Sequence, residues 1–347
     1  MERASRLPTM RDVARQAGVS VMTVSRVVNG EPGVLPDTAA RVELAIRAIG
    51  YQRNDMARNL RRGATGTQTV GLLVDDLANP FFAALARAVE DQARLRGSLV
   101  LIASSGDDLR REREAVQAFC ARRVDGLILV PVAGSHRFLR AALDRGTKVV
   151  CVDRPADQLR VDTVAVDNRD GAMRATGHLL AHGHRRIGYL GDRPEIWTVK
   201  QRFTGFCDAL AAAGLTPDPN LIRHGLRTRE DAAAAVARLM AAQDPPTAVF
   251  TSNDLMSVGA LGGLGPSAGR IAMVGFDDFA LADRMTPAVT VVAQDPAALG
   301  ATAAQLLFAR IDGDTSAPRD LVLLTRLLVR GSGEIAPTAA DRKSLTA

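Results

Sequence analysis

Residues 9–30 read TMRDVARQAGVSVMTVSRVVNG, and this stretch decides how the chain opens. Apolar Met10, Val13, Ala14 and Ala17 recur at three- and four-residue steps, which makes one face of a helix. Thr9 stands at its N-cap, with acidic Asp12 at the third helical position as in a capping box. Gly18 suits the left-handed conformation that ends a helix and begins a tight turn. Ser20 then caps a second helix running from Val21 to Val28 and stopping near Asn29 and Gly30. Two short helices joined by a glycine turn spell a helix-turn-helix. Ala14 is small where the second helix must cross, and Val24 faces that crossing. A third helix starts at Pro36 and turns Val42, Ala45, Ile46 and Ile49 inward.

Charge points the same way. The 347 residues carry a formal +6, of which residues 1–69 hold +5, from eleven arginines and no lysine against six acids. A basic start on a nearly neutral body fits a small polyanion-binding module, although a flexible basic tail has the same arithmetic. Apolar residues at 47% exclude wholesale disorder, and the length allows two or three domains. Cys120, Cys151 and Cys207 are odd in number and widely spaced, which argues against a disulfide framework or a structural zinc site. The first residues lack the apolar core of a secretory signal, and no run of 18 apolar residues exists, so a cytoplasmic protein without a membrane span is expected.

Residues Thr9 to Gly30, followed by Arg41-Val42, Ile49-Gly50-Tyr51, Asn54, Ala57-Arg58 and Leu60, closely resemble the headpiece of the LacI/GalR family of bacterial transcription regulators. Two departures stand out: Leu35 where a capping Ser usually starts the third helix, and Arg53 in place of a common proline. The second helix is expected to enter the major groove of palindromic operator DNA. Val21 and Met22 then meet thymine methyls, and Arg26 either binds guanine bidentately or clamps a phosphate. Thr9, Ser20, Thr23, Ser25 and Asn29 offer short polar groups to phosphate oxygens. Asn54 and Arg58 belong to a short hinge helix that ends at Leu60. The resemblance implies that Leu60 wedges into the minor groove; capping the headpiece core is its plainer role.

From Val70 onward, short apolar runs alternate with helical patterns, which argues for parallel α/β sheets. The runs are Val70–Val74, Leu99–Ala103, Gly126–Val130, Val149–Val152, Thr163–Val166, Ile187–Leu190, Ala248–Thr251, Ala272–Val274, Thr290–Ala293 and Leu321–Val329. So many strands exceed one sheet, so two lobes are expected. The stretch is similar to the two-lobed, periplasmic-binding-protein-like core of the same family. That implies a headpiece over 1–53, a hinge and linker over 54–68, a core over 69–338 and a tail over 339–347. Lobe 1 takes about 69–168 and 296–322, and lobe 2 about 169–295 and 323–338.

Polar residues land at the strand ends, where ligands of such folds bind. They are Asp75, Asn79, Asp153, Arg154, Arg202, Asn253, Asp277 and Gln294, with Phe81, Phe82 and Trp197 as aromatic covers. Planar groups with two donors or acceptors suit adjacent sugar hydroxyls, and rings suit the C–H face. All but Asp75 and Trp197 match positions that ribose-type binders use, which favours a monosaccharide, a pentose or small hexose, over a purine. Phe81 and Phe82 have a core reading of equal weight, and Asp254 is expected to cap the following helix. His178, His182 and His184 read as a solvated turn and not as a metal site. The run 263–268 mimics a dinucleotide glycine loop but follows a helix, so it is discounted.

No cofactor, metal or catalytic nucleophile is expected, and so no enzyme. The reading is a sugar-released repressor acting as a homodimer, because residues 334–347 show no leucine heptad for a larger assembly. A corepressor- or purine-responsive regulator and a sugar-transport protein are the alternatives.

Overall fold

The computed structural model describes residues 8–51 and 66–338. The chain divides between Thr67 and Gln68 into two compact units.

The first unit is three helices, α1 (Met10–Ala17), α2 (Val21–Val28) and α3 (Pro36–Ile49). Gly18, at φ 65°, ends α1 and donates its N–H to the Ala14 carbonyl, a conformation with a steric cost for any residue bearing Cβ. Arg41 on α3 donates to the Ala17 carbonyl at 2.6 Å, satisfying one of the groups that a helix end leaves open. Leu35 offers no capping side chain, and Pro36 with its preset φ starts α3 without one. Val13, Val24 and Val42 are fully buried together with Ala14, Ala17 and Ala45; Ile46, Ile49 and Tyr51 pack on this core.

The second unit is a two-lobed α/β body. In chain order it runs β1 (Thr69–Val74), α4 (Pro80–Leu95), β2 (Leu99–Ser104), α5 (Leu109–Ala121), β3 (Gly126–Leu129), α6 (Arg140–Asp144), β4 (Lys148–Val152) and β5 (Asp162–Val166). It continues with α7 (Asn168–Ala181), β6 (Ile187–Leu190), α8 (Trp197–Ala212), β7 (Ile222–Arg223), α9 (Arg229–Met240), β8 (Ala248–Thr251), α10 (Asp254–Leu264), β9 (Ala272–Phe276) and β10 (Thr290–Ala293). Last come α11 (Pro296–Ile311), β11 (Asp320–Leu323) and β12 (Arg326–Leu328). Lobe 1 holds a sheet ordered β11-β5-β4-β3-β1-β2, and lobe 2 one ordered β12-β10-β9-β8-β6-β7. All pairings are parallel except β10 with β12.

The chain passes between lobes after β5, after β10 and between β11 and β12. All three crossings leave one edge of each sheet. The apolar run Leu321–Val329, expected as one strand, breaks at Leu324 and Thr325, and its halves join opposite sheets. Thr325 is held there: its N–H donates to Asp167 Oδ1 at 2.7 Å and its hydroxyl accepts from Arg174 at 2.6 Å. The two-residue strand β7 carries too short an apolar signal to be read from sequence.

Helices cover both faces of each sheet, as parallel sheets require. α7 and α8 lie so close that a Cβ on Gly205 would sit 2.0 Å from the Arg169 carbonyl oxygen. The three histidines, His178 in the last turn of α7 and His182 and His184 just beyond it, are not a solvated turn. His184 is fully buried, with Nε2 2.7 Å from the Ile335 carbonyl and Nδ1 2.9 Å from Thr247 Oγ1, and His178 pairs with Glu334. Together they fasten residues 332–335 to lobe 2.

Candidate functional site

In the three-helix unit, Ser20 Oγ accepts from the Thr23 N–H at 3.1 Å and starts α2. Val21 and Met22 follow on the first turn and are exposed, Met22 at 68%. Leaving two large apolar side chains in water gains nothing for the fold, whereas an apolar partner surface would cover them. Arg26 is exposed on the same helix and makes no ion pair among the described residues. The smaller polar groups are partly engaged: Thr9 donates its hydroxyl to Asp12 Oδ2 at 2.6 Å, and Asn29 Nδ2 donates to Ser25 Oγ at 3.2 Å. Asn54, Arg58 and Leu60 lie outside the described residues.

In the body, the lobe 2 wall is built around Arg202 on the second turn of α8, 4% exposed. Its Nε donates to Asn168 Oδ1 at 2.7 Å, and Nη1 donates to the Ser252 carbonyl at 2.6 Å and Asp277 Oδ2 at 3.3 Å. The guanidinium lies 3.8 Å from the centre of the Phe276 ring. Asn168 belongs to the first crossing between lobes and donates to the Val166 carbonyl, so Arg202 is tied to the hinge. Gln294 Nε2 donates to Asp277 Oδ1 at 2.5 Å, and its Oε1 is buried without a partner. Burial pushes the Asp277 carboxyl up to about 6; Arg202 opposes the rise and Asp254 adds to it.

On the lobe 1 wall, Asp153 and Arg154 follow β4, both nearly buried. Arg154 Nε donates to Asp153 at 3.1 Å, while its two other nitrogens lie 3.9 Å from Asp75 and 3.8 Å from Asp107. Burial raises the Asp75 carboxyl above the usual range, against the pull of Arg154. Asn79 caps α4, its Oδ1 accepting from the Phe81 N–H at 2.9 Å, and its Nδ2 reaches across to Asp254 Oδ1 at 3.4 Å. Asn253, not Asp254, supplies the cap of α10, accepting from the Met256 N–H at 2.8 Å. Asp254 therefore faces lobe 1.

Phe82 goes into the lobe 1 core, and Phe81 meets it edge-on at 5.1 Å while remaining half-exposed. Trp197 begins α8 and is half-buried. The structure adds groups that the sequence reading passed over: Asn168, Ser252, Phe276, Asp107, Asp192 and Arg193. Arg193, after β6, pairs with Asp107 across the cleft. Both follow strand ends, the signal that singled out the others, but a lone Asp or Arg after a strand is too common to mark. The walls thus offer fixed, oriented carboxylates, amides and guanidinium groups around a cleft. Such a surface can form paired hydrogen bonds to a polyhydroxylated molecule. Among the described residues no cluster of histidine, cysteine and acidic groups could hold a metal, and no helix is long and apolar enough to cross a membrane.

Comparison with known proteins gives two family matches. Residues 9–54 match the model of bacterial regulatory proteins, lacI family, and residues 67–330 match that of periplasmic binding proteins and the sugar-binding domain of the LacI family. The transcriptional regulator GalR of Escherichia coli K12 is 33% identical over 310 residues, covering 88% of this chain and 90% of its own. A crystal structure of the lac repressor dimer bound to operator and an anti-inducer superposes with a TM-score of 0.80 at 26% identity, over 94% of this chain and 99% of that one. A complex of the regulator CelR with cellobiose superposes at 0.68 with 35% identity, over the same shares of the two chains. The helix-turn-helix unit, the two-lobed body and both matches agree, and the chain belongs to the LacI family of bacterial regulatory proteins.

Proposed function

We propose that this regulator is a repressor released from operator DNA by a monosaccharide, a pentose or small hexose, held between the lobes. The observation that carries the reading is the fixation of Arg202. Three of its nitrogen-to-oxygen contacts and the Phe276 ring set the guanidinium plane, and Nη2 takes part in none of those hydrogen bonds. A planar donor fixed in advance loses little freedom when it binds two neighbouring hydroxyls. Asp153, Arg154, Asp277, Gln294 and Asn79 complete the polar ring, with Asp75 and Asn253 at its margin, and Phe81 and Trp197 supply apolar cover. Among the relatives, CelR in complex with cellobiose supports a carbohydrate class.

The same regulator reads a palindrome as a homodimer, with α2 of each headpiece in the major groove. Val21, Met22 and Arg26 choose bases, while Thr9, Ser20, Thr23, Ser25, Asn29, Asn54 and Arg58 position the backbone and Leu60 opens the minor groove. The lac repressor dimer bound to operator supports this arrangement. Sugar favours one disposition of the lobes, and Arg202 passes that preference to Asn168 at the hinge. The required coupling is a difference in affinity of ~1–3 kcal/mol between two states. The protein works in the cytoplasm and performs no catalysis.

The test uses the full chain and an operator selected from randomised palindromes. Fluorescence anisotropy follows its release by pentoses and hexoses added singly. At least one sugar is expected to weaken operator binding, and Arg202→Ala to abolish that response while sparing the DNA affinity. Equal loss of both by Arg202→Ala, or silence from every sugar, overturns the reading.

A further inference from the structure

The three crossings between lobes leave from β5 and β11 in lobe 1 and from β10 and β12 in lobe 2, at one edge of each sheet. Asp107 follows β2, the strand at the far edge of the lobe 1 sheet, and Arg193 follows β6, beside the far-edge strand β7 of lobe 2. The two residues are an ion pair. They therefore join the lobes on the side away from the hinge, where a contact has the greatest leverage over opening.

The pair is built rather than incidental. The Asp107 side chain is 9% exposed and its backbone is left-handed at φ 54°, a conformation that Asp tolerates better than most residues. Its N–H donates to Ser105 Oγ at 3.3 Å, which holds the turn. Arg154 of lobe 1 lies 3.8 Å from Asp107 Oδ1, and Arg193 of lobe 2 pairs with Oδ2. One carboxylate is thus shared by guanidinium groups from both lobes. Arg193 Nε and Arg154 Nη1 are buried without hydrogen-bond partners, while the Arg193 side chain as a whole is 34% exposed, so added salt reaches and weakens its pairing with Asp107. A second polar contact, Asn79 to Asp254, bridges the lobes nearer the middle of the cleft.

We propose that Asp107 and Arg193 form the latch of the cleft, two positioning residues that set how far the lobes part before any effector enters. The latch rests on the effector reading only for its consequence, that it governs how readily a sugar is admitted. Its test needs no ligand. Trp197 is the single tryptophan of the sequence and stands four residues after Arg193. Acrylamide quenching of its fluorescence in the full-length protein reports opening on that side. Asp107→Ala and Arg193→Gln are each expected to raise the quenching constant at least twofold, with the circular dichroism spectrum unchanged. In the wild type the constant should rise with added salt, whereas in both variants it should be flat. Arg193→Gln replaces a partly exposed side chain and keeps the variant set informative if Asp107→Ala misfolds. Unchanged quenching in Arg193→Gln, or a salt response identical to wild type, overturns the latch. Failure of the sugar reading appears elsewhere, in the anisotropy titrations, and leaves this result standing.

Discussion

Asp153 and Asp277 occupy equivalent corners of the two lobes. Each follows the last residue of its strand, β4 or β9, and each has φ 71°. Each donates its N–H to a carbonyl of the neighbouring strand, Asp153 to Val164 at 2.8 Å and Asp277 to Val292 at 2.9 Å. The left-handed turn lifts the carboxylate off the end of the sheet, and Asp is among the few non-glycine residues that take this conformation readily. Two copies of one local device therefore furnish both walls of the cleft. Their electrostatic surroundings differ: Asp153 shares Arg154 with two other acids, whereas Asp277 shares Arg202 with an amide and a carbonyl.

That difference makes Asp277 the group to titrate. Its carboxyl rises in the folded protein, through burial above all, from the unfolded value near 3.8 to about 6. A raised acid favours the folded state fully below the unfolded value, and the benefit is lost as pH climbs through about 6. Asp277→Asn removes the titration and keeps the backbone conformation. Thermal melts at pH 4 and pH 7.5 should therefore show the variant gaining stability relative to wild type at the higher pH. A difference between the two proteins that does not move with pH would contradict the assignment.

Gly205 controls the distance between α7 and α8. With Gly205→Ala, the added methyl would meet the Arg169 carbonyl 2.0 Å away, so the helices must part. Overpacking of this kind costs ~1–3 kcal/mol, and contact with rigid backbone puts this site at the upper end. Because Arg202 stands less than one turn away and bonds Asn168 at the start of α7, the substitution should also weaken sugar binding. Denaturant midpoints and sugar titrations read the two effects separately; full stability in the variant would refute the close-packing argument.

How much of this was legible in the sequence differs from residue to residue for physical reasons. The headpiece helices and most strands were readable because periodicity and caps are local: Ser20, Gly18 and Pro36 act within one turn of chain. The split at Leu324 and Thr325 was not, since it depends on Asp167 and Arg174, which are distant in sequence. The cap of α10, expected of Asp254, falls to Asn253 because either side chain could accept from the first N–H groups of the helix, and Asp254 is engaged by the facing Asn79. His184 looked like part of a wet turn until residues 332–335 folded back over it. Asp107 and Arg193 gain meaning only from facing one another.

Asp162 anchors the return of the chain from α11 into β11. Its side chain is 1% exposed and accepts from Arg310 at 2.6 and 2.9 Å and from the Arg319 N–H at 2.8 Å. Burial works to raise its carboxyl, yet these bonds and the two guanidinium charges outweigh it and hold the group below its usual range. Its stabilisation is therefore present above the unfolded value and disappears as pH falls through the lower folded one. Asp162→Ala leaves Arg310 without its principal partner, and loss of one member of a buried pair costs ~3 kcal/mol or more. Chemical denaturation at neutral pH should show that loss, and the gap to wild type should shrink in acid. A variant as stable as wild type at pH 7 would show that the pair does not hold this connection.

Arg26 offers the sharpest test of how the headpiece chooses its site. It is exposed on α2, one helical turn beyond Met22, and carries no ion pair among the described residues, so nothing in the headpiece core depends on it. If it meets a guanine edge, Arg26→Ala should cost ~1–3 kcal/mol on the selected operator and almost nothing on a scrambled duplex. If it clamps a phosphate, affinity should fall by the same factor on both duplexes, and the slope of binding against salt should drop by about one charge. Arg26→Lys separates the cases further, because lysine keeps the charge but lacks the planar fork that reads O6 and N7 together. Anisotropy titrations on both duplexes over a range of salt distinguish the outcomes. The base-reading role predicts that specificity collapses while non-specific affinity persists, and a uniform loss would assign Arg26 to the backbone instead.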